Sequence, residues 1–66
     1  MPLLMVNGTE KEVSATRLNG VLEELGYAGK SVAVAMDGSF VPRGQYDETA
    51  VERGARLEIL APMQGG

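Results

Sequence analysis

Most catalytic constellations are excluded by what this sequence lacks. It has no histidine and no cysteine. Ser14, Ser31 and Ser39 therefore lack the usual base partner of a nucleophilic serine. Without cysteine, disulfides and thiolate metal sites are closed as well. The carboxylate pairs Glu23-Glu24 and Asp47-Glu48 are adjacent in sequence, so on a helix or strand they diverge, and they read as solvated surface. Gly29-Lys30-Ser31 ends like a phosphate-binding loop, but that motif needs another glycine where Glu24 stands. It also needs a strand before and a helix after, and here the order is reversed. Gly26 to Ser31 reads as a helix-to-strand loop.

The feature that points to chemistry is the end, Gly65-Gly66. The segment Ala61-Pro62-Met63-Gln64-Gly65-Gly66 leaves a strand directly and, extended, reaches about 20 Å. That is enough to enter another protein's active site. Glycine lacks Cβ, so Gly65 and Gly66 can thread a narrow channel and take unusual backbone angles. An α-carboxylate is a poor electrophile. As an acyl-adenylate it becomes a good one, and sulfur can then replace one oxygen to leave a thiocarboxylate. Gly66 is the residue expected to carry that group, with no side chain catalytic and no metal involved. Leu60, Pro62, Met63 and Gln64 flank it as the expected partner-binding residues, and outward Ala33 and Ala35 could extend them into a small apolar patch.

These residues must be positioned by a small scaffold. Leu3 to Val6 and Thr9 to Val13 read as strands joined by Asn7-Gly8, a strong hairpin signal because a type I′ turn needs positive φ at both central positions. Leu4, Val6 and Val13 are the inward candidates. Leu18, Val21, Leu22 and Leu25 recur at i, i+3, i+4 and i+7, one face of a helix. Thr16, or alternatively Ser14, is the expected N-cap and Gly26 the C′ residue. Gly20 inside the helix costs about 1 kcal/mol against alanine and could allow close approach to the sheet. Ser31 to Met36 alternates as a strand with Val32, Val34 and Met36 inward. Asp37-Gly38 is a second hairpin turn, and Phe40-Val41 is a short strand that Pro42 places at an edge. Residues 43–55 form a loop with one helical turn around Tyr46 and a turn at Arg53-Gly54. Arg56 to Leu60 closes the fold with Leu57 and Ile59 inward and Glu58 and Leu60 outward. The predicted class is α+β, order β-β-α-β-β-β, one mixed sheet packed on one main helix.

Sixty-six residues make one domain, with little spare structure in which to build an enclosed active site. With 44% hydrophobic and 23% charged residues the chain is expected to fold. The net charge is −3 and the six cations are scattered, so a nucleic-acid interface is set aside. The apolar run after Met1 is too short for a signal peptide or a membrane span. With no disulfides to staple it, the chain is expected in the cytoplasm.

Val41-Pro42-Arg43 after the Asp37-Gly38 turn, the Gly54 turn before the last strand, and the Met63-Gln64-Gly65-Gly66 end occur in this order along the whole chain. In order, spacing and length they resemble the ThiS family, the sulfur carriers of thiamine biosynthesis. The resemblance implies a ubiquitin-like β-grasp domain over residues 1–60 and a flexible tail over 61–66. It implies no stably bound cofactor. A ThiF-like enzyme would adenylate Gly66 with ATP, a cysteine desulfurase or other donor would supply sulfur, and a ThiG-like thiazole synthase would accept it. The small subunit of molybdopterin synthase shares the fold and the Gly-Gly end, but those chains tend to be longer and to carry more aromatics near the tail. A carrier for tRNA thiolation and a non-covalent ubiquitin-like binding module stay open as alternatives.

Overall fold

Two Xaa-Gly turns set the ends of the sheet. The computed structural model describes residues 3–27 and 29–61. Strands β1 (Leu3–Val6) and β2 (Thr9–Glu12) form the first hairpin, with Asn7 at φ 51° and Gly8 at φ 84°. Strands β3 (Ala33–Met36) and β4 (Ser39–Val41) form the second, with Asp37 at φ 51° and Gly38 at φ 87°. Positive φ at both central positions is the type I′ geometry expected of Asn-Gly and Asp-Gly. The last strand, β5 (Arg56–Leu60), runs between the hairpins, parallel to β1 and antiparallel to β3. The sheet order is β2-β1-β5-β3-β4. Charged β2 and Pro42-terminated β4 are its edges, a protected arrangement for unpaired strands.

Helix α1 (Leu18–Glu24) covers one face with Leu18, Val21 and Leu22 buried and Leu25 partly buried. Leu4, Val6, Val34, Leu57 and Ile59 meet it from the sheet, and Val13 from the loop after β2. The helix ends as a Schellman motif. The Tyr27 N–H donates to the Leu22 carbonyl at 2.8 Å, and the N–H of Gly26, at φ 91°, donates to the Glu23 carbonyl at 3.1 Å.

Two local expectations need correction, and a third residue, exposed as expected, gains a contact. Neither Thr16 nor Ser14 caps α1; Arg17 occupies the N-cap in extended conformation with no side-chain cap bond. A bridge to a distant segment replaces the cap: the Leu18 N–H donates to the Thr49 carbonyl at 2.9 Å, and the Val51 N–H to the Thr16 carbonyl at 2.8 Å. Glu24 is exposed but tied down. Its carboxylate accepts from the Ser14 N–H at 2.9 Å and the Ala15 N–H at 2.6 Å, fastening the β2–α1 loop to the far end of the helix. Gly20 does leave room for a close approach, but the neighbour is that loop and not the sheet; a Cβ there would lie 2.8 Å from the Ala15 Cβ.

The segment between β4 and β5 contributes more than a loop. It holds a 3₁₀ helix (Arg43–Glu48), and beyond it Val51 and Ala55 are buried in the core. Half-buried Tyr46 packs on the core, and its hydroxyl donates to the Val32 carbonyl at 3.3 Å. No helix among the described residues is long and apolar enough to cross a membrane.

Candidate functional site

The strand that leads into the tail is the middle one of five. Along β5 the burial alternates, with Leu57 and Ile59 under the helix and Arg56, Glu58 and Leu60 on the opposite face. That face is uncovered. Leu60 is 70% exposed, and its partner across the β3–β5 ladder is exposed Ala33. One step along β3, half-buried Ala35 pairs with Phe40 of β4, which is 69% exposed. On the other side of β5, Met5 and Leu3 of β1 share the face, with Glu10 and Glu12 of β2 as its acidic border. The structure thus joins Leu60, Ala33 and Ala35 as the sequence suggested.

It also adds Phe40. The sequence placed Phe40 on a strand but not on this face. The signal was available, because a strand alternates: with Val41 inward, Phe40 has to point outward. The remaining expected site residues, Pro62, Met63, Gln64, Gly65 and Gly66, lie outside the described residues.

The other chemical candidates fall elsewhere. The Ser31 hydroxyl accepts from Arg43 Nη2 at 3.2 Å. Ser39 lies on the edge strand β4. Asp47 and Glu48 are exposed on the 3₁₀ helix. Gly29, at φ 77°, and Lys30 lie in the connection between α1 and β3, with the Lys30 N–H donating to the Tyr27 carbonyl at 3.0 Å; Ala28 lies outside the described residues. Among the described residues no three carboxylates come together as a metal site. Of the described candidates, Leu60, Ala33, Ala35 and Phe40 share one sheet face.

A mixed sheet of five strands, grasping one helix and ending on its central strand, defines a β-grasp domain of the ubiquitin-like kind. The model of the ThiS family matches residues 4–66, and the chain belongs to that family. Among solved structures, a crystal structure of the thiamine biosynthesis protein ThiS from Geobacter metallireducens is 31% identical, with a TM-score of 0.80 over 97% of this chain and 99% of that one. A solution structure of a thiamine biosynthesis protein from the same organism gives 31% identity and a TM-score of 0.78 over 97% and 87% of the two chains. A thiazole synthase of Paramagnetospirillum magneticum is 39% identical over 64 residues, which cover 96% of this chain and 20% of that protein. The chain therefore spans about a fifth of the length of that relative.

Proposed function

We infer that this protein is a sulfur carrier for thiazole formation in thiamine biosynthesis, and that the α-carboxylate of Gly66 is the group that is activated. An adenylating enzyme of the ThiF kind joins the carboxylate to the α-phosphate of ATP, and pyrophosphate leaves. The outer sulfur of a persulfide on a cysteine desulfurase or similar donor displaces AMP to form an acyl disulfide. A second thiol reduces that disulfide, itself becoming disulfide-bonded to the donor, to leave the thiocarboxylate. A thiazole synthase accepts the sulfur, and the carrier returns to its carboxylate form. The chain's part is to dock and to deliver the tail; ATP belongs to the activating enzyme.

The observation that carries this reading is the family match that runs through Gly66 on a fold whose central strand is the last element before the tail. The uncovered sheet face, with Leu60 and Phe40 exposed, supports docking to larger partners. The stretch of thiazole synthase that resembles this chain supports the synthase as one of them. The test is ATP–pyrophosphate exchange with the adenylating enzyme. The full chain is expected to support it. Deletion of Gly66 is expected to abolish it without lowering thermal stability, because among the described residues the last one buried in the core is Ile59. Normal exchange by the shortened chain would rule the assignment out.

A further inference from the structure

The backbone ladder between β1 and β5 stops early. The Met5 N–H donates to the Ala55 carbonyl at 3.0 Å and the Asn7 N–H to the Leu57 carbonyl at 2.9 Å. At Asn7 the chain then swings away into its turn, with φ 51°. Past Leu57 the β1 side of β5 has no further strand residue in register with it. The side chain of Asn7 fills the next rung. Its Nδ2 donates to the Ile59 carbonyl at 3.0 Å, and the Ile59 N–H donates to Asn7 Oδ1 at 2.8 Å. The amide presents one donor and one acceptor in the arrangement of a continuing strand, and the polarity of the Ile59 backbone fixes which end is which. On the other side Ile59 is in register with Val34 of β3. Both backbone hydrogen-bonding groups of Ile59, two positions before Ala61, are thus taken by Asn7.

We propose that Asn7 is a positioning residue for the tail: its side-chain amide, by gripping both backbone groups of Ile59, fixes the direction in which the chain leaves the sheet. This inference rests on the carrier reading above. A tail that is to be adenylated inside another protein must put one carboxylate oxygen against a phosphorus atom, and small misplacements of reacting groups are costly in rate. The grip on Ile59 fixes the strand backbone just before Ala61. Few residues can do both jobs at this position. Glycine accepts the positive φ but has no amide; aspartate accepts it but has no donor for the Ile59 carbonyl.

Asn7→Gly separates turn from grip, since Gly-Gly also suits the hairpin. The expected result is a folded variant in which the Ile59 amide loses protection from hydrogen exchange. Its affinity for the adenylating enzyme is expected to stay at the wild-type level, because the outer face is intact. At saturating carrier, the rate of ATP–pyrophosphate exchange is expected to fall roughly tenfold or more. Asn7→Asp keeps the turn and the Oδ1 acceptor and is expected to fall between the two; it also serves if the glycine variant fails to fold. A merely structural asparagine would lower stability and leave the saturated rate of the folded fraction unchanged, which overturns the proposal. So does continued protection of Ile59 in the variants. If the wild-type chain supports no exchange, the carrier reading fails, and the positioning role falls with it.

Discussion

Gly65 and Gly66 offer backbone and little else, which is what the proposed entry into an adenylating enzyme would demand. Gly65→Val adds a β-branched side chain and narrows φ and ψ. It is expected to reduce ATP–pyrophosphate exchange by at least tenfold with an unchanged melting temperature; an equal loss of stability would assign Gly65 a role in the fold. Glu24 shows the opposite case, a residue that looks like solvated surface and is not idle. A carboxylate in the last turn of a helix runs against the helix dipole. Its place is explained by the Ser14 and Ala15 amides that it accepts. Glu24→Ala is expected to cost about 1 kcal/mol after allowance for solvent screening, a fall of roughly 4–8 °C in melting temperature for a domain of this size. No loss on thermal denaturation would mean that the loop is held by other contacts.

At the scale of elements, β5 joins the core to the uncovered face of the sheet. Its inner side chains, Leu57 and Ile59, sit in the core, and its outer residue Leu60 faces solvent beside Ala33. Leu60→Glu and Phe40→Glu each put a charge where a partner would bury it, and desolvating an unpaired charge typically costs a few kcal/mol. Each is expected to weaken binding to the adenylating enzyme or the synthase by about tenfold or more while leaving folding intact. Unchanged affinity for both partners by calorimetry would remove this face from the interface. Much of this architecture was legible in the sequence because its signals are local. Asn7-Gly8 and Asp37-Gly38 dictate hairpins through backbone sterics, Gly26 stops the helix, and Leu18, Val21 and Leu22 repeat with the helical period. The start of the helix was not legible, because Thr49 and Ala50, far along the chain, supply its partners. Val51 and Ala55 were missed for a related reason: they enter the core from a stretch with no periodicity to read. The grip of Asn7 on Ile59 was hidden too, since its residues are joined only once the sheet has formed.

At the scale of the whole fold, the described residues form a small β-grasp domain with one uncovered sheet face, and such a fold can serve several clients. Discrimination among them has to come from the surface beside the tail. Here that surface combines Leu60, Ala33, Ala35 and Phe40, with acidic Glu10 and Glu12 at its border. A permanently held subunit usually presents a larger and more hydrophobic face. A carrier that binds and leaves fits the modest one seen here. Loss of the protein is accordingly expected to impose a growth requirement for thiamine or its thiazole precursor, with nitrate reductase activity retained. Thiazole-independent growth with lost molybdoenzyme activity would move the carrier to the molybdopterin branch.

The central claim is that Gly66 carries sulfur, and the most direct measurement is the intact mass of the protein isolated from its host under conditions of thiamine demand. The expected spectrum contains a species heavier by the exchange of one oxygen for one sulfur, with fragmentation placing the change on Gly66. A single unmodified mass under those conditions, or a sulfur located anywhere other than the C-terminal carboxylate of Gly66, would contradict it.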